Sequence, residues 1–99
     1  MNAAREKVER EGVCRVCGDG PAAKLEAAHL VPRSVSKSAF ESPELVVPLC
    51  GRFGCFAHQR FDGHQLDLLP FVTYEEQAAM VERVGIMRAF KILTGAFPT

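Results

Sequence analysis

The sequence predicts a small zinc-stapled α+β domain, with a short helix at its N-terminus and a long helix at its C-terminus. Three observations carry that expectation. The chain has 99 residues, which is room for one hydrophobic core and no second domain. Its four cysteines fall in two close pairs, Cys14 with Cys17 and Cys50 with Cys55, with thirty-two residues between the pairs. Two short apolar stretches lie between and beside the pairs, flanked by helix-forming segments.

The elements follow in order. Ala3 to Glu11 carries Arg5, Glu6, Lys7, Glu9 and Arg10, all good helix formers, and Gly12 is a natural stop. Cys14-Arg15-Val16-Cys17-Gly18 reads as a metal-binding knuckle, with Gly18 giving the turn its backbone freedom. Asp19-Gly20-Pro21 is turn chemistry. Lys24 to Val31 reads as a strand that Pro32 ends. Arg33 to Ser42, rich in serine, reads as a loop. Leu45 to Leu49 reads as a second strand, with Pro48 confining it to an edge. It runs directly into the second knuckle, Cys50 to Cys55. Ala57 to Leu66 is expected as a short helix, and Asp67 to Val72 as an apolar connector.

Thr73-Tyr74-Glu75-Glu76 matches a capping box, and a single helix is expected from there to Thr94, with Gly95 as its stop. Its apolar residues occupy several sides: Met80, Val84 and Met87 form one row, and Ile86, Phe90 and Leu93 another. Such a helix is expected to wrap the core on one side and to contact a partner, or a second copy of the chain, on the other.

The spacing of the cysteines decides how they are read. Four cysteines in a secreted chain would suggest disulfides, but the opening MNAAREKVERE is charged and lacks the apolar stretch of a secretory leader. A cytoplasmic setting is therefore expected, in which thiols stay reduced. Two close pairs then read as a structural four-cysteine zinc site, of the kind a small core needs as a staple. A redox role for Cys14 and Cys17 is the weaker reading, because the second pair argues against it.

Composition excludes other classes. Twelve Lys and Arg balance twelve Asp and Glu, so nucleic-acid binding driven by net charge is not indicated. Any phosphate contact must come from a local patch or a bound cation. No apolar run reaches the roughly 18 residues of a membrane span.

The three histidines are the candidates for chemistry. His29 falls on the first strand, and His58 and His64 are expected on the short helix after the second knuckle. One reading makes them spare zinc ligands or plain surface residues. The other sets an imidazole on a hairpin opposite others on a helix, as a general base facing a divalent cation.

The ordered set resembles a known family. Cys14-x2-Cys17, then Leu25-Glu26-Ala27-Ala28-His29-Leu30-Val31-Pro32-Arg33-Ser34, then Glu44 to Cys50, then Cys55-x2-His58 is similar to the HNH endonucleases and, more narrowly, to the small ones of actinobacterial phages. The later segments His64 to Gln77 and Val84 to Phe90 resemble the distal part of such chains, so the likeness covers roughly residues 12 to 95. It implies a ββα-metal (His-Me finger) fold and metal-dependent hydrolysis of DNA phosphodiesters with low sequence specificity. On that resemblance His29 is the general base, and His58 binds one catalytic cation, Mg2+, Mn2+, Ni2+ or Zn2+. A separate zinc on Cys14, Cys17, Cys50 and Cys55 braces the hairpin. DNA, and a phage packaging terminase, are the partners it implies.

Two positions depart from the family pattern. Ala28 stands where a metal-binding Asp or His commonly precedes the base, and Leu45 stands about where an Asn orients it. His64 and Asp62 are the expected replacement ligands, Asp62 because it lies four residues after His58 and shares its helix face. Arg33, Lys37, Arg52 and Arg60 are the candidate phosphate contacts, against the plainer reading of solvated surface. The competing function is a non-catalytic four-cysteine zinc module that binds DNA or a protein.

Overall fold

In the computed structural model, which describes residues 2–51 and 54–95, seven α-helices and strands follow in order, besides three single 3-10 turns. They are α1 (Ala3–Glu11), β1 (Leu25–His29), α2 (Lys37–Phe40), β2 (Val46–Cys50), α3 (Ala57–Asp62), α4 (Tyr74–Val84) and α5 (Ile86–Thr94). The result is an α+β fold around one antiparallel two-stranded sheet.

Local chemistry explains the elements. The Asn2 side chain caps α1 by accepting the Arg5 backbone N–H at 2.7 Å, and Gly12 closes the helix in the left-handed conformation. The capping box at the head of α4 is complete. Thr73 Oγ1 accepts from the Glu76 N–H, and Glu76 Oε1 accepts from the Thr73 N–H. In the sheet, Leu25 pairs with Cys50 at one end and His29 with Val46 at the other. All five residues of β2 are buried, since α1 packs against both strands and α3 against β2. A strand buried on both faces loses the polar alternation of a half-exposed one. Pro48 is tolerated opposite Ala27 because each strand of a two-stranded sheet has a free edge.

Glu76 ties the C-terminal helices to this core. Its carboxylate, only 6% exposed, accepts from Arg15 Nη1 at 2.8 Å and from Lys7 Nζ at 2.9 Å. Arg15 sits inside the first knuckle and also donates to the Phe71 carbonyl. Burial alone would raise the Glu76 pKa, but Arg15, the Thr73 N–H and Lys7 outweigh it and hold it at about 2.

Several sequence expectations need correction. The long C-terminal helix is two helices. Gly85, at φ 89° and ψ 157°, has a conformation essentially reserved for glycine; its N–H closes α4 and its carbonyl opens α5. The expected row of Met80, Val84 and Met87 is split by that break. Met80 is fully buried, whereas Met87, Ile86 and Phe90 are 68%, 69% and 54% exposed. The serine-rich loop contains a helical turn, α2, because Ser36 Oγ accepts the Ala39 N–H and caps it. The short helix stops at Asp62 rather than Leu66, with Gly63 as its cap and His64 turned to a positive φ of 59°. The first strand ends at His29. Leu30 still donates to the Leu45 carbonyl, but Pro32 lies just beyond and ends the ladder. No helix among the described residues is long and apolar enough to cross a membrane.

Candidate functional site

The two ends of the hairpin carry two different clusters. At the Leu25–Cys50 end the knuckles bring Cys14, Cys17, Cys50 and Cys55 together, with their sulfurs all within 4.8 Å of one another. The first knuckle is closed by the Gly18 N–H donating to the Cys14 carbonyl at 2.9 Å, with Gly18 at φ 73°. In the second, a side chain at Gly54 would collide with Cys50 Sγ, so the turn needs glycine there.

The donor set suits a metal. Cys17 and Cys50 sulfurs are 3.5 Å apart, and Cys14 and Cys55 sulfurs 3.8 Å. A tetrahedron with metal–sulfur distances of about 2.3 Å has edges of about 3.8 Å, whereas a disulfide would require about 2.05 Å. All four thiols are free of disulfides. Burial pushes Cys50 up to about 12 and raises Cys55 as well. At Cys14 the N–H groups of Cys17, Cys50 and Val16 outweigh burial and bring it down to about 7. Such a group of sulfurs becomes fully thiolate only with a cation among them.

At the His29–Val46 end lies a cleft of about 380 Å³ that His29, His58, Asp62 and His64 line together. Three separate elements deliver them: β1 ends in His29, α3 carries His58 and Asp62, and the left-handed turn after α3 returns His64. His29 is held from two sides. Its Nδ1 lies 2.7 Å from the Phe40 carbonyl oxygen, and its ring stacks on the Phe40 ring at 4.1 Å between centroids. A carbonyl only accepts, so Nδ1 carries the proton and Nε2 of the neutral imidazole is left with its lone pair.

His58 is held by two carboxylates. Its Nδ1 lies 2.7 Å from Glu26 Oε1 on β1, and its Nε2 lies 3.4 Å from Asp62 Oδ2 one helical turn on. With Nδ1 donating to Glu26, a neutral His58 ring turns its Nε2 lone pair toward the Asp62 carboxylate. His58 and Asp62 thus fit a divalent ion on the chemistry of their donors. They do not form a closed set: among the described residues, the four cysteines are the one group of three or more converging ligands. Ala28, fully buried opposite Val47, contributes no ligand.

The remaining sequence candidates are placed unevenly. The Arg33 guanidinium lies over the Phe40 ring, 5.1 Å from its centroid, beside the His29 stack. Lys37 is exposed on α2 and Arg60 on α3, while Arg52 lies outside the described residues. Sequence reasoning missed Phe40 and Glu26. Phe40 supplies the orienting contact expected of Asn near Leu45, but through a backbone carbonyl, which has no sequence signature. Glu26 had a readable signal: it shares a strand face with position 28, where a ligand was expected.

No family model matches this chain, and no curated protein or solved structure is significantly similar to it. The functional reading therefore rests on the geometry of the two clusters.

Proposed function

We propose that this protein is a metal-dependent endonuclease of the HNH type, cutting DNA phosphodiesters, with zinc held by Cys14, Cys17, Cys50 and Cys55. The observation that carries the reading is the shared cleft: His29, oriented by the Phe40 carbonyl, faces the same space as His58, Asp62 and His64.

In this reading the four-cysteine zinc pins both strands and takes no part in the chemistry. His29 Nε2 accepts the proton of a water that attacks the scissile phosphorus in line. Phe40 holds the imidazole in the tautomer and the orientation that this requires. His58 and Asp62, with His64 beside them, would hold a divalent cation. When bound it would stabilise charge on the phosphate and on the departing 3′ oxygen. Arg33, next to the base, would contact the DNA backbone. The exposed Ile86, Met87 and Phe90 face of α5 would meet a packaging terminase or a second copy. A mass that stays monomeric in light scattering at high concentration counts against the second copy.

Nicking of supercoiled plasmid by zinc-loaded protein in Mg2+, Mn2+ or Ni2+ tests the activity. Ala28 and the open ligand set favour a second reading, a zinc module that binds DNA or protein without cutting. DNA retention without cleavage in any of these cations would support that one instead.

A further inference from the structure

We infer that Glu26 is the positioning residue of the cation site, and that Gly51 of the second knuckle lets it reach His58. The inference deepens the nuclease reading and rests on it.

Glu26 is constrained on three sides. Its Oε1 accepts from His58 Nδ1 at 2.7 Å and from Gln59 Nε2 at 3.3 Å. Its other oxygen lies against Gly51. A methyl group at Gly51 would stand 2.9 Å from Glu26 Oε1 and closer still to Oε2, so the carboxylate occupies the space that a side chain would take. Gly51 directly follows the metal-ligand candidate Cys50, and its N–H points at the Lys24 carbonyl at 3.5 Å. The knuckle therefore shapes the seat of Glu26, and Glu26 in turn directs His58.

The chemistry follows from the hydrogen bond. A carboxylate on Nδ1–H fixes the tautomer in which Nε2 is the donor atom for a metal, aims that nitrogen at Asp62, and makes it a better ligand. Position 28, one pleat further on the same face, is alanine. The strand's acidic group thus acts through His58 rather than on the ion.

Mn2+ binding by the zinc-loaded full chain, followed by calorimetry, tests this. Glu26→Ala is expected to weaken Mn2+ binding about 10- to 100-fold, the usual loss when such a carboxylate is removed. Zinc content should stay at one per chain. Glu26→Gln, which keeps an oxygen acceptor without the charge, should fall between Glu26→Ala and wild type. Gly51→Ala should mimic Glu26→Ala by displacing the carboxylate. In cleavage, both alanine variants should need more Mn2+ to reach half-maximal rate while approaching wild-type rate at saturation, a split that a merely structural defect does not give. Side-chain NMR of His58 provides a readout independent of activity: the proton should sit on Nδ1 in wild type and redistribute in Glu26→Ala. Wild-type Mn2+ affinity in both alanine variants overturns the role of Glu26 alone. A wild-type chain that binds no Mn2+ and cuts no DNA overturns the nuclease reading itself, and the cation site with it.

Discussion

The two ends of one short hairpin hold two clusters built on opposite principles. At the Cys50 end, four sulfurs converge within 4.8 Å and nothing is left open. Towards the His29 end, imidazoles and a carboxylate delivered by β1 and α3 line a cleft without closing on a common point. A structural metal site supplies every ligand from the chain, whereas a working site leaves positions for water and substrate. The partners differ accordingly. Backbone N–H groups of Val16 and Cys50 donate to Cys14 Sγ. His29 and His58 instead are held through Nδ1 by the Phe40 carbonyl and the Glu26 carboxylate.

The largest expected effect breaks the closed end. Cys50→Ser removes a sulfur from a fully buried position in the four-cysteine cluster, and the chain should lose both the proposed zinc and its cooperative thermal transition. A folded, metal-free Cys50→Ser protein would show that the knuckles are not the staple. The open end should respond in the opposite way. His29→Ala should keep the melting temperature and zinc content while losing about 10²- to 10⁴-fold in cleavage rate. His58→Ala should also lose cleavage, but recover part of it at raised Mn2+, which His29→Ala should not.

A smaller effect separates the core's own electrostatics from both clusters. The folded-state pKa of Glu76 is lowered to about 2, against about 4.3 unfolded. A depressed carboxylate contributes stability that is complete above the unfolded value and lost as pH falls through the folded one. About 3 kcal/mol should therefore disappear between about pH 5 and pH 2. Urea unfolding across that range should show the loss in wild type, and a shallower one in Glu76→Gln. The smallest effect concerns the break between α4 and α5. Gly85→Ala puts a side chain at φ 89° in open space, so strain alone should cost about 1–3 kcal/mol. A stabilised variant would mean that a continuous helix is within reach after all.

How much of this was legible depends on whether the determinant was a side chain at fixed spacing. The cysteine cluster was readable because C-x2-C and C-x4-C are local turns whose sulfurs must meet. The capping box at Thr73 was readable for the same reason. His58 and Asp62 were readable as helix neighbours, and the structure puts His58 Nε2 3.4 Å from Asp62 Oδ2. The break at Gly85 was not, since an isolated glycine in a helical pattern is often tolerated and only the tertiary placement of α5 decides it. The Phe40 carbonyl was hidden because every residue carries one. The role of Glu26 was hidden because its partner His58 lies thirty-two residues away in the chain.

The open end of the hairpin is proposed to be a catalytic site and not only a surface. The most direct measurement is cleavage of supercoiled plasmid by zinc-loaded wild-type protein and by His29→Ala, each in Mg2+, Mn2+ and Ni2+. Wild type is expected to nick in a metal-dependent way that chelation stops, and His29→Ala to lose about 10²-fold or more at equal zinc content. Equal cleavage by the two proteins, or none by wild type in any of the three cations, would contradict it.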